Sequence, residues 1–367
     1  MRFTVSRDAL SEAVGIALKG IAPASTLPIL SGVLVKAEDG VIELQTSNYT
    51  ISIRHRIPAR VDEPGEMVVP CKMLSNICKT LPDAPVSFEL EERQVLISCE
   101  KSSFRLNTLD VADFPEFPTY ALERSVELPA DVLAEMVNRV WRVTSKDKNR
   151  PVLNGVYMTV ENNTIRLVAT DSYRLAVCDT QVETSSLEGS FELNVPADAM
   201  NDAVTIAGGK GTVLVGSTDT QVVFEAGNTT YVSRRIEGNY PNYKALLPST
   251  CATSLKVSTD DLSAALKRVA VVAQKNSAVK FEIDVDAGTL SLSAISSDQD
   301  AAREVLDVDV QGESGVIAFN YHYILGCLGV LPRESEVTLE LQSYQQAGIF
   351  KSYSSIDYLY LVMPVRF

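Results

Sequence analysis

Residues 151–177 read PVLNGVYMTVENNTIRLVATDSYRLAV. Two runs rich in β-branched and apolar residues, 152–160 and 164–169, are separated by the pair Asn162-Asn163. Strand-forming runs on either side of turn residues predict a β-hairpin. The hairpin is followed by the letters TDSYRL, residues 170–175, in which polar and apolar residues are interleaved. The rest of the sequence is arranged around this hairpin and its polar end.

The same layout occurs earlier in the chain, as PILSGVLVKAEDGVIELQTSN from residue 28 to residue 48. Five positions of that stretch match positions 123 residues later: Pro28, Leu30, Gly32, Leu44 and Asn48 correspond to Pro151, Leu153, Gly155, Leu167 and Asp171. A fixed offset over a whole hairpin indicates an internal repeat of a structural unit.

Three segments of the chain follow one plan of strand, helix, hairpin, second helix and closing strands. Helical spacing of apolar residues and start signals predict six helices: 8–19, 70–80, 129–145, 196–207, 260–274 and 320–330. The second helix of each segment is entered at Val69-Pro70, Val195-Pro196 and Phe319-Asn320.

Links of aromatic residues and proline, at 114–117 and 240–243, precede each new segment. We therefore expect three domains, at residues 1–122, 123–249 and 250–367. Because hairpins dominate and crossover helices are few, each domain is expected to be α+β, with two helices packed on one face of an antiparallel sheet.

Composition describes an ordinary globular chain, with 46% hydrophobic and 22% charged residues among 367. It has no apolar run near the roughly 18 residues of a membrane span and no signal-peptide pattern, so we expect it in the cytoplasm. A net charge of −14 argues against a wholly basic nucleic-acid binder and leaves room for a local basic surface. Six cysteines without a CxxC pair are typical of buried thiols.

Motifs for catalysis or cofactor binding are weak. Residues 207–212, AGGKGT, do not match a phosphate loop and follow a predicted helix instead of preceding one. His55 and His322 have no Cys or His at ligand spacing, and no GxSxG motif occurs. We expect neither an enzyme, nor a cofactor, nor a metal site.

Several motifs together resemble the bacterial DNA polymerase III β subunit family, the sliding clamps. The matching stretches are MRFTV at 1–5, TLPIL at 26–30, LNG at 153–155, ATDSYRLAV at 169–177, YPNY at 240–243, LP at 247–248, FN at 319–320 and VMPVRF at 362–367. The resemblance covers essentially the whole chain. It implies a head-to-tail dimer that closes a ring of six similar domains around duplex DNA and tethers the replicative polymerase without catalysis.

The resemblance also implies a pocket for short, partly apolar peptides from the polymerase, the clamp loader and other partners. Its walls in this sequence would be Leu153, Thr170, Tyr173, Arg174, Leu175, Pro241, Leu246, Asn320, Tyr323, Met363, Pro364, Val365 and Arg366. Apolar walls with a few placed polar groups suit such a peptide. Composition alone favours core residues at strand ends, and only the resemblance favours a pocket. Tyr173 and Ala245 depart from residues common in the family.

Two further surfaces follow from the same resemblance. The DNA-facing candidates are basic residues on helices and on the loop before the hairpin: Lys79, Arg139, Arg142, Lys146, Lys148, Arg150, Lys267 and Arg268. At the dimer interface, Lys101 and Phe104 of one subunit would face Val271, Val272 and Glu304 of the other.

Two other classes remain open at this point. One is a peptide-binding scaffold that does not encircle DNA, which loading onto circular DNA would separate from a clamp. The other is an α+β enzyme with an unrecognised site, for which a pocket acid such as Asp171 would have to support turnover.

Overall fold

The computed structural model describes residues 1–22, 24, 26–161, 163–182, 191–273, 277–295 and 301–366. Its elements recur in three sets. The first set is β1 (Arg2–Val5), α1 (Arg7–Ala17), β2 (Gly32–Glu38), β3 (Val41–Ser47), β4 (Ile51–Pro58), β5 (Arg60–Glu63), β6 (Gly65–Pro70), α2 (Cys71–Thr80), β7 (Val86–Glu91), β8 (Gln94–Cys99) and β9 (Ser102–Asn107).

The second set is β10 (Arg124–Pro129), α3 (Ala130–Val140), β11 (Gly155–Glu161), β12 (Thr164–Thr170), β13 (Arg174–Gln181), β14 (Phe191–Pro196), α4 (Ala197–Ala207), β15 (Thr212–Ser217), β16 (Gln221–Ala226) and β17 (Thr229–Arg234). The third set is β18 (Thr253–Ser258), α5 (Thr259–Ala270), β19 (Ala278–Asp284), β20 (Thr289–Ile295), β21 (Ala301–Asp307), β22 (Asp309–Gln311), β23 (Gly315–Asn320), α6 (Tyr321–Leu328), β24 (Glu336–Leu341), β25 (Gly348–Ser352) and β26 (Asp357–Val362). The predicted α+β repeat, with two helices in each set, is confirmed.

Helix starts follow the local sequence. Ser6 caps α1 by accepting the Ala9 N–H, and Ser258 caps α5 by accepting the Asp261 N–H. The second helix of each set begins directly after Pro70, Pro196 or Asn320, as predicted. The Ser6 and Ser258 side chains satisfy N–H groups that have no partner inside the helix.

Helix ends were predicted less well. We expected α3 to continue to residue 145, but it ends at Val140 and gives way to a tight 3-10 turn over Trp141–Val143. The Thr144 hydroxyl closes this turn by donating to the Trp141 carbonyl at 2.9 Å. α6 ends at Leu328, two residues earlier than predicted, and α5 ends at Ala270, four residues before its expected end at residue 274.

The chain divides into two compact units. One comprises residues 1–133 and 202–235, and the other comprises 134–182, 191–201 and 236–366 of the described residues. The first unit holds a five-stranded sheet, β5-β1-β7-β8-β9, and an eight-stranded sheet, β10-β15-β16-β17-β4-β3-β2-β6. The second holds a nine-stranded sheet, β14-β11-β12-β13-β26-β25-β24-β18-β22, and a four-stranded sheet, β21-β20-β19-β23.

Main-chain ladders cross the repeat boundaries within each unit. β4 of the first repeat pairs with β17 of the second, and β13 of the second pairs with β26 of the third, both antiparallel. The strands of the middle repeat are consequently shared between the two units.

The core of the first unit shows how each unit is held together. Leu10 and Val14 of α1 and Leu74 of α2 are buried with strand residues, among which Phe3 and Phe88 stack with ring centroids 4.7 Å apart. Removing this apolar surface from water is the main stabilising contribution.

The cysteines are mostly buried thiols, as predicted, except for the exposed Cys251. Burial raises the pKa of Cys71 to about 12 and that of Cys78 to about 11, so both stay protonated and unreactive at neutral pH. None of the helices in the described ranges is long and apolar enough to span a membrane.

Candidate functional site

The polar end of the hairpin formed by β11 and β12 is a tight turn, residues 170–174, which we call the rim turn. The Asp171 carboxylate accepts the N–H groups of Tyr173 and Arg174 at 2.9 and 3.0 Å, and the Thr170 hydroxyl accepts that of Ser172 at 3.1 Å. Ser172 has a left-handed backbone with φ of 79°. This arrangement holds Tyr173 outward, where it is 64% exposed.

The first repeat contains the same turn. Asn48 occupies the place of Asp171, and its side-chain oxygen accepts the N–H groups of Thr50 and Ile51 at 3.0 and 2.7 Å. The residue after it, Tyr49, is again left-handed with φ of 67°. Asn and Asp favour such turns because they bond to their own following backbone. The internal repeat inferred from the sequence therefore extends to a single turn.

Arg174 connects four elements of the second unit. Its Nε donates to Asp171 at 3.0 Å, one Nη donates to the Tyr360 hydroxyl at 3.2 Å, and the other donates to the Arg142 carbonyl at 2.9 Å. The guanidinium also lies 4.6 Å from the centroid of the Tyr323 ring. Since every guanidinium nitrogen is engaged, the first role of Arg174 is to hold the rim turn against β26, α6 and the turn that follows α3.

The arginine and the two tyrosines of this network keep their charge states near neutral pH. Burial lowers the pKa of Arg174, but Tyr360 and Asp171 outweigh it, so that pKa lies above its usual value. Burial raises the pKa values of Tyr360 and Tyr323. The arginine thus stays charged and both tyrosines stay neutral. Across the described residues, no three His, Cys, Asp or Glu side chains are grouped so as to hold a metal ion.

The C-terminal segment, residues 363–366, passes the rim turn. The Met363 N–H donates to the Tyr173 carbonyl and the Val365 N–H donates to the Ala318 carbonyl of β23, both at 2.9 Å. Pro364 between them has no N–H to donate. The pocket implied by the resemblance needs the hairpin end and the chain end to lie together, and these hydrogen bonds show that they do; Met363 is 46% exposed where they meet.

Two clefts flank the C-terminal segment. One, of about 500 Å³, is lined by Ala278, Lys280, Ser293, Ala294, Ile295, Val365 and Arg366. The other, of about 610 Å³, is lined by Ala318, Tyr344, Gln345, Pro364, Val365 and Arg366. Lys280, Ile295 and Tyr344 were missed by the sequence analysis because they lie on β19, β20 and the loop after β24, where no local pattern marks them.

Three predicted wall residues lie beneath the surface, which corrects the prediction. Leu153 is 4%, Thr170 7% and Leu175 1% exposed. Leu175 packs into a cluster with Tyr243 and Leu361 because its position on β13 faces the link at 240–247 and not solvent. These residues support the surface from below.

The other predicted wall residues are at least partly accessible. Leu246 is 58% exposed, Pro241 and Arg366 are exposed, and Tyr323, Pro364 and Val365 are half-buried. Asn320 also has a structural role, because its side chain caps α6 by accepting the His322 N–H at 3.0 Å.

Seven of the eight DNA-facing candidates are exposed: Lys79, Arg142, Lys146, Lys148, Arg150, Lys267 and Arg268. Four of them lie on or beside the basic loop, by which we mean residues 144–150. The Lys146 Nζ lies 3.9 Å from an Asp198 carboxylate oxygen, and the Arg150 guanidinium donates to the Ser172 hydroxyl of the rim turn at 2.5 Å.

Arg139 is the exception and corrects the prediction. Its side chain is buried, with 2% of the residue exposed. It donates to the Ile356 carbonyl at 2.7 Å and to Glu135 at 2.5 Å, and it lies 6.0 Å from the Tyr358 ring centroid. A buried charge persists only when it is paired in this way, so Arg139 is not available to phosphate.

Two of the interface candidates lie on strands at sheet edges, while Lys101 lies in the turn before β9 and Val271 and Val272 lie just past the end of α5. β9, with Phe104, and β21, with Glu304, are terminal strands of the five-stranded and four-stranded sheets. Phe104 is half-buried against the first unit's core, Lys101 is exposed, Val271 is 67% exposed and Val272 is half-buried.

Glu304 is already paired within the chain. It accepts two hydrogen bonds from Arg268, both at 2.8 Å, and these hydrogen bonds hold its pKa below the usual value. A predicted DNA contact and a predicted interface residue thus form one ion pair.

Comparisons with known proteins cover the whole chain. Residues 1–118, 127–242 and 244–366 match the N-terminal, central and C-terminal domains of the DNA polymerase III beta subunit. The chain is 33% identical to a beta sliding clamp homolog, GriR, of Streptomyces muensis over the full length of both, and 31% identical to the beta sliding clamp of Streptomyces coelicolor over 100% of this chain and 99% of that one.

Solved structures agree with this match. A sliding clamp of Pseudomonas aeruginosa bound to griselimycin superposes with a TM-score of 0.94 at 27% identity over 100% of both chains. The sliding clamp of Bacillus subtilis gives 0.92 at 28% identity over 100% of this chain and 99% of that one. With three domain matches in order and full-length relatives, the chain belongs to the DNA polymerase III beta subunit family of sliding clamps.

Proposed function

We propose that this protein is a DNA sliding clamp, which encircles duplex DNA and tethers the replicative polymerase and other replication and repair proteins. The observation that carries the proposal is the end-to-end match: three domain models lie in order along the chain, and a solved clamp superposes with a TM-score of 0.94. The proposed domains are residues 1–122, 123–249 and 250–367. Such a protein works beside the chromosome, in the bacterial cytoplasm, and needs no catalytic activity.

The proposed assembly is a head-to-tail homodimer. Three domains in one chain need a second copy to complete six, and two identical heterologous contacts close such a ring. The terminal strands β9 and β21 support this assembly because each pairs on one side only within the described part of the chain. An edge strand presents unpaired N–H and C=O groups that a second copy can satisfy.

Sequence-independent attraction to DNA fits the exposed basic residues. Counter-ion release from phosphate gives affinity without reading bases, which lets a ring slide. Arg142, Lys146, Lys148 and Arg150 offer several such contacts in one short stretch, although the whole chain is acidic.

The proposed partner surface combines the rim turn, the link at 240–246 and the C-terminal segment. Tyr173, Leu246 and Met363 present exposed apolar surface there. Aromatic and aliphatic anchors supply most of the affinity for short peptides. Relatives described as bound to griselimycin support a ligand-binding surface in this fold.

Loading on circular DNA tests the clamp against the peptide scaffold that does not encircle DNA. The protein is loaded by a bacterial clamp loader with ATP onto nicked plasmid, and retention is measured by gel filtration. A clamp is expected to stay on the circle and to leave when a restriction enzyme linearises it. Retention that survives linearisation, or no retention at all, would contradict encirclement and favour the scaffold.

A further inference from the structure

The basic loop and the rim turn are joined at two points. Ahead of the loop, the Arg142 carbonyl accepts a hydrogen bond from Arg174 at 2.9 Å. At the end of the loop, the Arg150 guanidinium donates to the Ser172 hydroxyl at 2.5 Å. A DNA-facing candidate and the peptide-facing turn therefore share direct contacts.

The loop is ordered by its own hydrogen bonds. The Ser145 N–H donates to the Leu153 carbonyl at 2.9 Å, and the Arg150 N–H donates to the Asp147 carbonyl at 3.1 Å. The Asp147 carboxylate accepts the Asn149 N–H at 2.9 Å. Arg150 therefore starts from a defined backbone position, and its long side chain is the part that is able to change partner.

The two acceptors open to Arg150 differ in strength. Ser172 offers a neutral hydroxyl at an exposed position, whereas a DNA phosphate offers a charged oxygen. The Arg150 donor is charged in both cases, but a phosphate adds charge–charge attraction and can accept two parallel hydrogen bonds from the guanidinium, which a single hydroxyl cannot. A phosphate within reach of Arg150 would therefore compete with Ser172 for this side chain.

Loss of that contact would loosen the rim turn. Ser172 is held in a left-handed conformation that non-glycine residues seldom adopt, and it needs surrounding contacts to persist there. The next residue, Tyr173, accepts the Met363 N–H at its carbonyl oxygen, so the position of the C-terminal segment depends on the position of the rim turn. Arg174 keeps its own four contacts, which makes the effect graded.

We propose that Arg150 is shared between the two surfaces, so that phosphate contact at Arg150 weakens binding of a partner peptide at the rim turn. The proposal rests on the proposed function, since it needs both DNA and peptide. Because coupling between two ligands is reciprocal, bound peptide would equally weaken the phosphate contact at Arg150.

The test compares peptide affinity on and off DNA. A fluorescein-labelled peptide from the tail of the replicative polymerase is titrated by anisotropy against free protein and against protein loaded on nicked plasmid. We expect the dissociation constant to rise about fivefold on DNA, the low end of typical couplings because one exposed hydrogen bond is involved. Linearising the plasmid in the same sample should restore the free value.

Two variants assign the effect to the contact. Ser172→Ala removes the acceptor but leaves Arg150 for phosphate. Its free form should bind peptide about fivefold more weakly, and DNA should change this no further. Asn149→Ala is the matched control, because it truncates an exposed side chain of the same loop that is not a DNA-facing candidate and leaves the contact between Arg150 and Ser172 in place; the fivefold difference should persist in it.

The possible outcomes distinguish a failure of the coupling from a failure of the proposed clamp function. A wild-type protein that loads and binds peptide with one affinity on and off DNA would overturn the coupling and leave the clamp intact. Ser172→Ala protein that binds peptide as tightly as wild type would overturn it too. A wild-type protein that neither loads onto DNA nor binds peptide would contradict both the coupling and the proposed clamp function.

Discussion

At the scale of single residues, solvent exposure distinguishes arginines that are close in the sequence but have different roles. Arg139 and Arg142 are three positions apart at the end of α3, yet one is buried and the other is exposed. Arg139 is fixed by Ile356 and Glu135, while the Arg142 side chain bonds to Asn138 at 3.1 Å and lies 4.7 Å from the Trp141 ring centroid. Charge in a helix is therefore a poor guide to DNA contact unless the facing element is known.

The first prediction follows from that difference. Arg139→Met should lower the free energy of unfolding by roughly 1–3 kcal/mol, because the Ile356 carbonyl loses its partner. Arg142→Ala should leave stability nearly unchanged and should reduce the salt slope of DNA retention by about one log–log unit. Urea unfolding and retention on nicked plasmid at several salt concentrations measure the two effects. A normal stability for Arg139→Met would show that its buried contacts contribute little.

At the scale of elements, the sequence determined what is local. The junctions at Pro70, Pro196 and Asn320 were readable because caps and prolines act within one turn. The ladder between β13 and β26 was not readable, since nothing in residues 174–181 specifies a partner strand almost two hundred residues away. The same limit hid the partners of Arg174, because Tyr360 reaches it only through that ladder. The resemblance predicted that Tyr173 and Met363 line the same pocket, and the Met363 N–H does donate to the Tyr173 carbonyl.

The C-terminal segment is the element whose removal is most informative. Deleting residues 363–367 should abolish binding of the polymerase-tail peptide and leave the dimer intact, because the segment ties to the fold mainly by the bonds at Met363 and Val365. Met363→Ala should weaken peptide binding by roughly 1–2 kcal/mol through lost apolar contact. Anisotropy titration at matched dimer concentration measures both. Tyr353→Ala, which removes another exposed side chain, is the control and should bind normally; undiminished binding by the truncated dimer would place the peptide elsewhere.

At the scale of the whole molecule, continuous ladders matter more than repeat boundaries. The eight-stranded sheet joins strands of the first and second repeats, and the nine-stranded sheet joins strands of the second and third. Such sheets leave few edges within each unit, and edges are where association with other chains begins. Among the terminal strands of these sheets, β9 and β21 are the two that we propose as the contact with a second copy.

Assembly is tested at the third domain. Val271 lies just past the end of α5, is 67% exposed and is predicted to face Lys101 and Phe104 of a second copy. Val271→Asp would bury an unpaired carboxylate at each of two interfaces, at a cost of several kcal/mol apiece, so the dimer should dissociate to single chains. Val316→Asp is the matched control, since Val316 is 38% exposed on β23, at the opposite edge of the four-stranded sheet from β21. Sedimentation at low micromolar concentration should give single chains for the first variant and dimers for the second. If both variants sedimented as dimers, Val271 would lie outside the contact; if both were monomeric, the interface would have to include β23.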